Sequence, residues 1–395
     1  MKIFHLADLH IGKSVNGFSM LDDQRHILKQ IIDETDREEP DVIIIAGDIY
    51  DRSVPGEEAV RLFEYLIDEF HRRRKQVMIV SGNHDSSQRL SFGSNILWSE
   101  GVHVSPPLDK DRRDENIIKS ASLHDEFGCV KFHLLPFVKP QDVKYVYKDR
   151  EINTYTDAVR VLIRGMNIDR SERNVLICHQ FITDAERSES EVQPIGTLDN
   201  VDASVFEGFD YVALGHLHKP QNVGGNERIR YAGSPLKYSF SEVKPAKSIT
   251  VAELGDKNSS QPLKVRTLPL KPLHDMREIR GSLHEILGNA DMEAESVRED
   301  YVRVILTSET EERNCFNRLR HKYPNIMELR YDNSRTRTES RLSASGHVNE
   351  QNPVDIFEDL FEKQNGRKMY AEQHRYVTDL FDEIIAGEMM SEERE

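Results

Sequence analysis

The sequence predicts an α/β fold built around a sheet with parallel strands. Five short runs rich in β-branched residues each end in polar residues, as buried strands do when they deliver side chains to a sheet edge. Helical patterns separate the first three runs, and the succession of strand, helix and strand implies parallel pairing with helices packed on the sheet. In chain order the runs are KIFHLAD, DVIIIAGD, QVMIVSGNHD, NVLICHQ and DYVALGHLH.

Two helices are predicted between these strands. Apolar residues recur at three- and four-residue steps over residues 22–37 and 56–74, which is the spacing of one helical face. Ligand sites of such sheets gather beyond the carboxyl ends of the strands. The polar residues that close the five runs are therefore the first candidates for a functional site.

A second module is predicted after the break at residues 255–261, which contain Gly, Asn and Ser. Strand and helix patterns then alternate up to residue 334, which indicates a small α+β module. A segment rich in Ser, Thr and Arg follows, and it predicts a flexible linker. The predicted divisions are a first domain at 1–265, the small module at 266–334, the linker at 335–352 and C-terminal helices at 353–395.

The C-terminal segment has an apolar face. Pro353 is placed to start a helix, and one side of that helix would carry Ile356, Phe357, Leu360 and Phe361. Such an amphipathic helix can pack back on its own domain, or it can lie on the helices of another protein. Both interpretations stay open at this point.

The charge balance limits how nucleic acid can be bound. The formal net charge is −16, whereas neutralisation of phosphates needs clustered Lys and Arg. A surface that is basic all round is therefore excluded, and any DNA contact must be local. Three basic clusters are candidates, although each also fits a solvated helix or loop face; they are residues 72–75, 110–113 and 313–322.

The cysteines and the N-terminal segment indicate the compartment. The three cysteines are far apart in the sequence, which argues against a zinc knuckle or a disulfide framework. Residues 1–10 already contain Asp8 and His10, so they resemble neither a signal peptide nor a membrane span. The expected location is the cytoplasm, without contact to a membrane.

The five strand ends carry one set of metal-ligating side chains. Carboxylates and imidazoles suit Mn, Fe or Zn, a carboxamide oxygen favours harder ions, and the absence of thiolates disfavours a structural zinc site. The number of ligands suits two ions. The candidate ligands are Asp8, His10, Asp48, Asn83, His179, His216 and His218.

The spacing of these residues supports a shared centre. In D-x-H at residues 8–10 and H-x-H at residues 216–218, the outer side chains would fall on the same side of an extended backbone. Gly47 removes side-chain bulk before Asp48, so that backbone and metal can approach. The carboxylate of Asp48 is the natural bridge between two ions.

His84 is the candidate catalytic residue. It follows the candidate ligand Asn83 and does not need to bind metal itself. An imidazole that titrates near neutrality beside two cations can donate a proton to a leaving alkoxide, or it can stabilise charge on phosphoryl oxygens.

Each motif alone is a weak signal. Pairs such as D-x-H or H-x-H arise by chance among 16 histidines, and Gly-Asp or Asn-His are common in turns. All five in this order, each at the close of an apolar run, are hard to obtain by chance. Together they predict two-metal chemistry.

The ordered set D-x-H, GD, GNHD, H and GHLH resembles the calcineurin-like metallophosphoesterase superfamily. Within it, the stretches FHLADLHIGKSVNG, AGDIYDRSVP and YVALGHLHKPQ, followed by RIRYAGSPLKYSFSE, are similar to the nuclease subunits of bacterial SbcCD complexes. The resemblance is strong over residues 1–250 and weak beyond them. It implies a four-layer α/β sandwich with a small α+β capping domain and C-terminal helices.

The resemblance also implies a role for each residue of the set. His84 would be the catalytic histidine. Asp51 stands where archaeal and eukaryotic relatives tend to have a second histidine, as in many bacterial members, so no second proton-handling histidine is expected there. One ion would be held by Asp8, His10, Asp48 and His218, and the other by Asp48, Asn83, His179 and His216.

An activity and partners follow from the same resemblance. It implies a Mn-dependent nuclease of repair, recombination and replication, with 3′-to-5′ exonuclease activity on duplex DNA and endonuclease activity on single strands and hairpins. Mg, Fe or Zn are the alternative ions. The C-terminal helices would dock on an SbcC-type coiled-coil ATPase, since this chain has no GxxxxGK[ST] loop of its own. Helices after Pro55 and near Phe92 would build a homodimer.

Two other functions compete with a nuclease. A phosphoesterase of the same fold could act on nucleotides or other small phosphates, and the candidate ligands alone do not exclude it. The additional module, the linker and the tail argue against a small substrate. The second alternative is a non-catalytic scaffold for the ATPase, which the complete ligand set disfavours.

Overall fold

The computed structural model describes residues 1–108, 117–183, 185, 200–288, 298–309 and 314–333, and, in the tail, residues 354, 357–358, 361, 368–370, 373–378 and 380. The predicted linker, the basic cluster at 110–113, Arg313 and most of the predicted C-terminal helices lie outside the described residues. Two compact units are present. The first comprises Met1–Ile305 and Glu312–Arg330, and the second comprises Leu306–Glu311 and Tyr331–Glu395.

Up to residue 333, the described residues include seventeen strands and eight α-helices with defined bounds. The strands are β1 (Lys2–Leu6), β2 (Ser14–Val15), β3 (Phe18–Ser19), β4 (Val42–Ala46), β5 (Gln76–Val80), β6 (Val102–Val104), β7 (Ser120–Asp125), β8 (Gly128–Leu135), β9 (Arg173–His179), β10 (Tyr211–Gly215), β11 (Gln221–Val223), β12 (Asn226–Tyr231), β13 (Ser248–Leu254), β14 (Leu263–Pro269), β15 (Met276–Gly281), β16 (Tyr301–Leu306) and β17 (Ile326–Tyr331). The helices are α1 (Leu21–Glu38), α2 (Glu57–Arg72), α3 (Ser87–Leu90), α4 (Ser94–Ser99), α5 (Pro140–Val146), α6 (Tyr155–Gly165), α7 (Leu283–Gly288) and α8 (Cys315–Lys322). Short 3-10 helices span Ala203–Phe206 and Phe240–Glu242.

The first large sheet contains three of the five predicted strands. Its order is β14-β13-β1-β4-β5-β6. The four strands from β1 to β6 in this order are parallel, and β13 and β14 are antiparallel additions at one edge. The parallel pairing predicted for the strand-helix-strand pattern is therefore confirmed.

The second large sheet contains the other two predicted strands. Its order is β11-β12-β10-β9-β8-β7. The central strands β12, β10, β9 and β8 are parallel, whereas β11 and β7 pair antiparallel at the edges. The carboxyl ends of β9 and β10 therefore lie at one edge of this sheet, as those of β1, β4 and β5 do in the first.

Helices cover the outer face of each sheet. In α2 the buried residues recur at helical spacing and face the core. Helix α1 packs with it on the first sheet, and α5 and α6 cover the second. Between the sheets lies a core that includes Ile44, Met78, Phe132, Val175 and Tyr211. The order helix, sheet, sheet, helix confirms the predicted four-layer α/β sandwich.

The small module contains the elements predicted for it. Strands β15, β16 and β17 form a sheet in that order, with α7 and α8 between them in the chain. Tyr301 anchors the module on the first domain, because its hydroxyl donates to Asp23 Oδ2 at 2.8 Å. Strand β14 continues to Pro269, and the boundary after residue 265 stays a prediction.

The cysteines, the basic cluster at 72–75 and the apolarity of the helices were also subjects of prediction. All three cysteines are free thiols. In the basic cluster at 72–75, Arg72 pairs with Glu69, and Arg73 pairs with Asp36 and Glu69. Among the helices that the structure describes, none is long and apolar enough to cross a bilayer.

Candidate metal centre

Four of the predicted site residues have an unusual backbone conformation. Their φ angles are positive, at 54° for Asp8, 44° for His10, 49° for Asp48 and 108° for His216. Residues other than glycine rarely adopt such angles. The extended backbone predicted across residues 8–10 and 216–218 is therefore wrong. Such conformations cost about 1–3 kcal/mol each and persist only where the surrounding structure imposes them.

Hydrogen bonds between neighbouring loops impose this conformation. The Asp8 amide donates to the Gly47 carbonyl at 3.0 Å, and the His10 amide donates to the Asp48 carbonyl at 2.9 Å. The amide of His216 donates in turn to Asp8 Oδ1 at 3.0 Å. The loops after β1, β4 and β10 are thereby fixed to one another.

Asp85 joins a further loop to this set. Its carboxylate accepts hydrogen bonds from the amides of Ile49 at 3.1 Å, Tyr50 at 3.0 Å and Gly82 at 2.9 Å. It therefore holds the loop after β4 against the loop after β5. Asp85 closes the GNHD motif, but a motif does not reveal which backbone amides a carboxylate will accept from, so no role was predicted for it.

Two glycines make room for the site residues themselves. A Cβ atom on Gly82 would lie 2.1 Å from Asp48 Oδ1, and one on Gly47 would lie 2.3 Å from His179 Nδ1. Gly47 was expected to let a metal approach. In the structure, the space beside Gly47 is filled by the His179 ring.

The structure brings the predicted residues together around one centre. Asn83 Oδ1 lies 3.0 Å from His179 Nε2 and 3.0 Å from His216 Nδ1. On the other side, His10 Nε2 and His218 Nε2 face each other at 3.0 Å.

Two carboxylates link these two sides. Asp48 Oδ2 lies 3.5 Å from His10 Nε2 and 3.4 Å from His179 Nε2, which is the position expected of a bridging carboxylate. Asp8 Oδ1 lies 3.9 Å from His179 Nδ1. Ligand atoms lie within 4.8 Å of one another in three overlapping groups: Asp8, His10 and His218; Asp8, Asp48 and His179; and His10, Asp48 and His84.

These side chains fit divalent cations. Two ligands bonded at right angles to one ion, each at about 2.1 Å, are roughly 3 Å apart, as the facing donor atoms are here. Asp8 and Asp48 are 0% and 3% exposed, and within the part of the chain that the structure describes no lysine or arginine lies within 4 Å of either carboxylate. Buried charges of this kind need a cationic partner.

His84 also makes contacts outside these three groups. Its Nδ1 lies 2.9 Å from the carbonyl oxygen of Asp51, and because a carbonyl only accepts, Nδ1 carries the proton. The amide of His84 donates to Asp48 Oδ1 at 2.9 Å. Its ring is half-buried and meets the His10 ring edge to face, with the centroids 4.9 Å apart. Nε2 is the ring nitrogen that does not bond to Asp51.

Burial and mutual charge perturb the ionisation of the site. Burial raises the pKa of Asp8 to about 7. Burial lowers the pKa of His179, but the carboxylates of Asp48 and Asp8 outweigh it and raise that pKa to about 9. Burial also disfavours the charged form of Asp48, yet His179 and His10 hold its pKa well below the usual range.

Two further residues of the site were not found from the sequence. Glu242 and Lys247 form a buried ion pair next to His218. Burial opposes the ionisation of Glu242, but Lys247 and His218 hold its pKa well below the usual range. Glu242 closes the quoted stretch SPLKYSFSE, but it follows no strand run, and the pattern of strand ends did not single it out.

Comparison with known proteins identifies the family. A model described as calcineurin-like phosphoesterase matches residues 1–220. The SbcD component of the nuclease SbcCD from Staphylococcus epidermidis is 36% identical over 334 residues, which cover 83% of this chain and 85% of that protein. The chain belongs to the SbcD family of calcineurin-like phosphoesterases. The SbcD protein from Staphylococcus saprophyticus is 35% identical over 83% of this chain and 84% of its own length.

Two further matches concern the C-terminal part of the chain and the fold. A model described as type 5 capsule protein repressor C-terminal domain covers residues 272–365. A dimetal phosphatase from Danio rerio superimposes with a TM-score of 0.40 and 11% identity, over 68% of this chain and 95% of that chain, a likeness too slight to bear on function. Membership in the SbcD family confirms the predicted enzyme class, a metal-dependent phosphodiesterase, and the predicted use of divalent ions.

Metal binding is predicted to release protons. With pKa values of about 9 for His179 and about 7 for Asp8, the metal-free site carries protons at neutral pH that divalent ions must displace. Affinity for Mn is therefore expected to fall by about tenfold for each pH unit lowered between 9 and 7, and more steeply below 7. Calorimetric titration of Mn in two buffers of different ionisation enthalpy measures the release; equal heats in both buffers would contradict it.

Proposed function

We propose that this chain is the nuclease subunit of an SbcCD-type complex and that it hydrolyses DNA phosphodiesters with two divalent ions. The observation that carries the proposal is that side chains from five strand ends converge around the two buried carboxylates of Asp8 and Asp48. Membership in the SbcD family supports DNA as the substrate and an SbcC-type ATPase as the partner.

The ligands are assigned to two ions that share Asp48. This assignment is supported by the position of Asp48 Oδ2 between His10 and His179. One ion would be held by Asp8, His10, Asp48 and His218, and the other by Asp48, Asn83, His179 and His216. Bound there, divalent ions would supply activation of a water for attack and charge neutralisation at the phosphoryl group.

His84 handles the proton of the leaving group. Its Nδ1 donates to the Asp51 carbonyl, which leaves Nε2 for the substrate. When the ring is charged, Nε2 can donate a proton to the departing sugar oxygen. Asp51 does not take this role, since its own carboxylate pairs with Lys13 at 2.7 Å.

Mn is the proposed ion. The centre combines imidazole nitrogens with carboxylate and carboxamide oxygens and contains no thiolate. This mixture of ligands suits Mn, whereas Mg sites commonly use oxygen ligands alone and structural zinc sites commonly use thiolates. Mg, Fe and Zn follow as alternatives.

The proposed substrates are DNA ends, hairpins and single strands. Five of the seven ligands are buried at the sheet edge, so a scissile phosphate must leave the contour of an intact duplex to reach them. Frayed or distorted DNA meets this requirement at lower cost. We extend the proposal to 3′-to-5′ exonuclease activity on duplexes and endonuclease activity on single strands and hairpins, in repair, recombination and replication, on the strength of the family.

His84→Gln is predicted to abolish cleavage without loss of metal. Glutamine keeps a polar group at this position but cannot supply the proton, and loss of a general acid typically costs about 100-fold or more. Metal content per chain and cleavage of linear duplex DNA are measured on the same sample. Turnover near the wild-type rate would remove His84 from the reaction.

Hydrolysis of small phosphate compounds is the alternative function. A measured substrate preference distinguishes it from hydrolysis of DNA. We expect the purified protein with Mn to degrade linear duplex DNA faster than a chromogenic phosphodiester of thymidine. Asp48→Asn serves as the control for contaminating nucleases, since it removes the bridging charge. A preference for the chromogenic ester would favour the alternative.

The proposed homodimer is supported by an exposed apolar surface on α2 and on the segment of α3 and α4. Phe92 and Ile96 are 88% and 74% exposed, and Val60 and Tyr65 are each 43% exposed. Large apolar side chains that are exposed on neighbouring turns of a monomer surface suit an interaction site.

Phe92→Ser with Ile96→Ser is predicted to convert a dimer into a monomer. Removal of two large apolar side chains from the centre of an interface costs several kcal/mol of association energy. Analytical ultracentrifugation measures the mass. Phe127→Ser is the matched control, because Phe127 is 48% exposed elsewhere on the first domain. A wild-type monomer, or a dimer that survives the double substitution, would contradict this interface.

The proposed ATPase contact is supported by the described part of the tail. Phe357, Tyr370, Tyr376 and Leu380 are exposed by 39–70%. Residues 373–378 are helical. Tyr376 lies in this helical stretch. An exposed aromatic residue on a helix suits docking on the helices of a partner, which is the second of the two interpretations of this segment.

A further inference from the structure

A buried ion pair lies directly behind one of the proposed metal ligands. The carboxylate of Glu242 and the ammonium of Lys247 contact each other, and their side chains are 1% and 4% exposed. The other carboxylate oxygen of Glu242 lies 3.5 Å from Nδ1 of His218. The Nε2 atom of the same His218 ring faces His10 at the metal centre.

This arrangement determines which nitrogen of His218 carries the proton. A carboxylate can only accept a hydrogen bond, so Glu242 draws the single proton of the neutral imidazole to Nδ1. The lone pair is then on Nε2, which points to the centre. A metal-ligating histidine is commonly oriented in this way by a carboxylate on its far nitrogen.

We propose that Glu242 is a positioning residue that holds His218 in its metal-binding tautomer and orientation, with Lys247 as its permanent counter-charge. The inference rests on the proposed function, in which His218 is a ligand. It makes Glu242 a further residue needed for metal binding, in addition to the seven proposed ligands and His84.

Lys247 fixes the backbone of His218 as well as the carboxylate. Its Nζ donates to the carbonyl oxygen of His218 at 2.7 Å and to Ser234 Oγ at 2.8 Å. The amide of Ser234 donates to the same His218 carbonyl at 3.2 Å. Ring and main chain of His218 are therefore both held from the side opposite the metal centre.

The segment that carries Glu242 is anchored at a second point. Lys237 Nζ donates to the carbonyl of Val243 at 2.9 Å and to Asp275 Oδ1 at 2.7 Å. The guanidinium of Arg303 lies over the ring of Phe240, 4.5 Å from its centroid. Asp275 directly precedes β15 and Arg303 lies in β16, so the small module holds the segment that positions His218.

Stability alone does not explain a buried pair of this kind. The cost of removing two charges from water roughly cancels their attraction, and apolar residues of similar volume often serve stability equally well. A role in orienting the adjacent ligand does explain why a carboxylate stands next to His218 Nδ1.

Glu242→Gln tests the proposal in the full-length chain. The amide keeps the size of the side chain but can present its NH₂ group to Nδ1, which allows the wrong tautomer. We expect the affinity for Mn, measured by competition with a fluorescent chelator, to fall by roughly 10- to 100-fold. Cleavage at saturating Mn is expected to recover to within a few-fold of wild type, so that the half-saturating Mn concentration changes more than kcat.

A second readout does not depend on metal or activity. The ¹⁵N spectrum of labelled imidazoles in the metal-free protein, with the His218 signal assigned from His218→Ala, is expected to show the Nδ1-protonated form in wild type and a mixture in Glu242→Gln. Glu38→Gln is the matched control, because Glu38 pairs with Arg266 at the other end of the first sheet. It should change neither measurement.

The outcomes separate this inference from the proposed function. Unchanged Mn affinity and an unchanged tautomer in folded Glu242→Gln would overturn the inference. If His218→Ala also bound two ions with wild-type affinity, the ligand assignment itself would fail. Should Glu242→Gln unfold, the pair Glu242→Gln with Lys247→Met removes the unbalanced charge; restored folding with weak Mn binding supports the proposal, and restored folding with normal Mn binding overturns it.

Discussion

The centre of this protein depends on the burial of two carboxylates that have histidines, but no lysine or arginine among the described residues, beside them. Asp8 and Asp48 are 0% and 3% exposed, and their described neighbours are imidazoles, an amide and backbone groups. A buried carboxylate is unstable in its charged form unless cations lie next to it. The strained loops, the glycines and the buried histidines are consistent with this single requirement.

The sheets supply the geometry that meets the requirement. Parallel strands of two packed sheets end at a common edge, and their loops are joined by backbone hydrogen bonds and by Asp85. Residues that are far apart in the sequence, such as Asp8 and His216, are thereby held within hydrogen-bonding distance. The energetic cost of positive φ angles is distributed over loops that secure one another.

Much of this was predictable because strands and metal ligands leave strong local signals. The run before Asp48 predicted a buried strand, and its position at the carboxyl end predicted a site. The conformation of the loops was not predictable, since a positive φ at Asp8 or His10 follows from hydrogen bonds to a distant loop. Asp85 and Glu242 were missed for a related reason: each acts through groups that only the folded chain brings near. The course of the linker and most of the tail lies outside the described residues.

The most direct measurement is anomalous diffraction from crystals grown with Mn, recorded at the Mn absorption edge. We predict two peaks per chain, separated by roughly 3.5–4 Å, with Asp48 between them and Asn83 and His218 on opposite sides. A single peak, or peaks away from these side chains with Asp8 and Asp48 turned elsewhere, would contradict a shared two-metal centre.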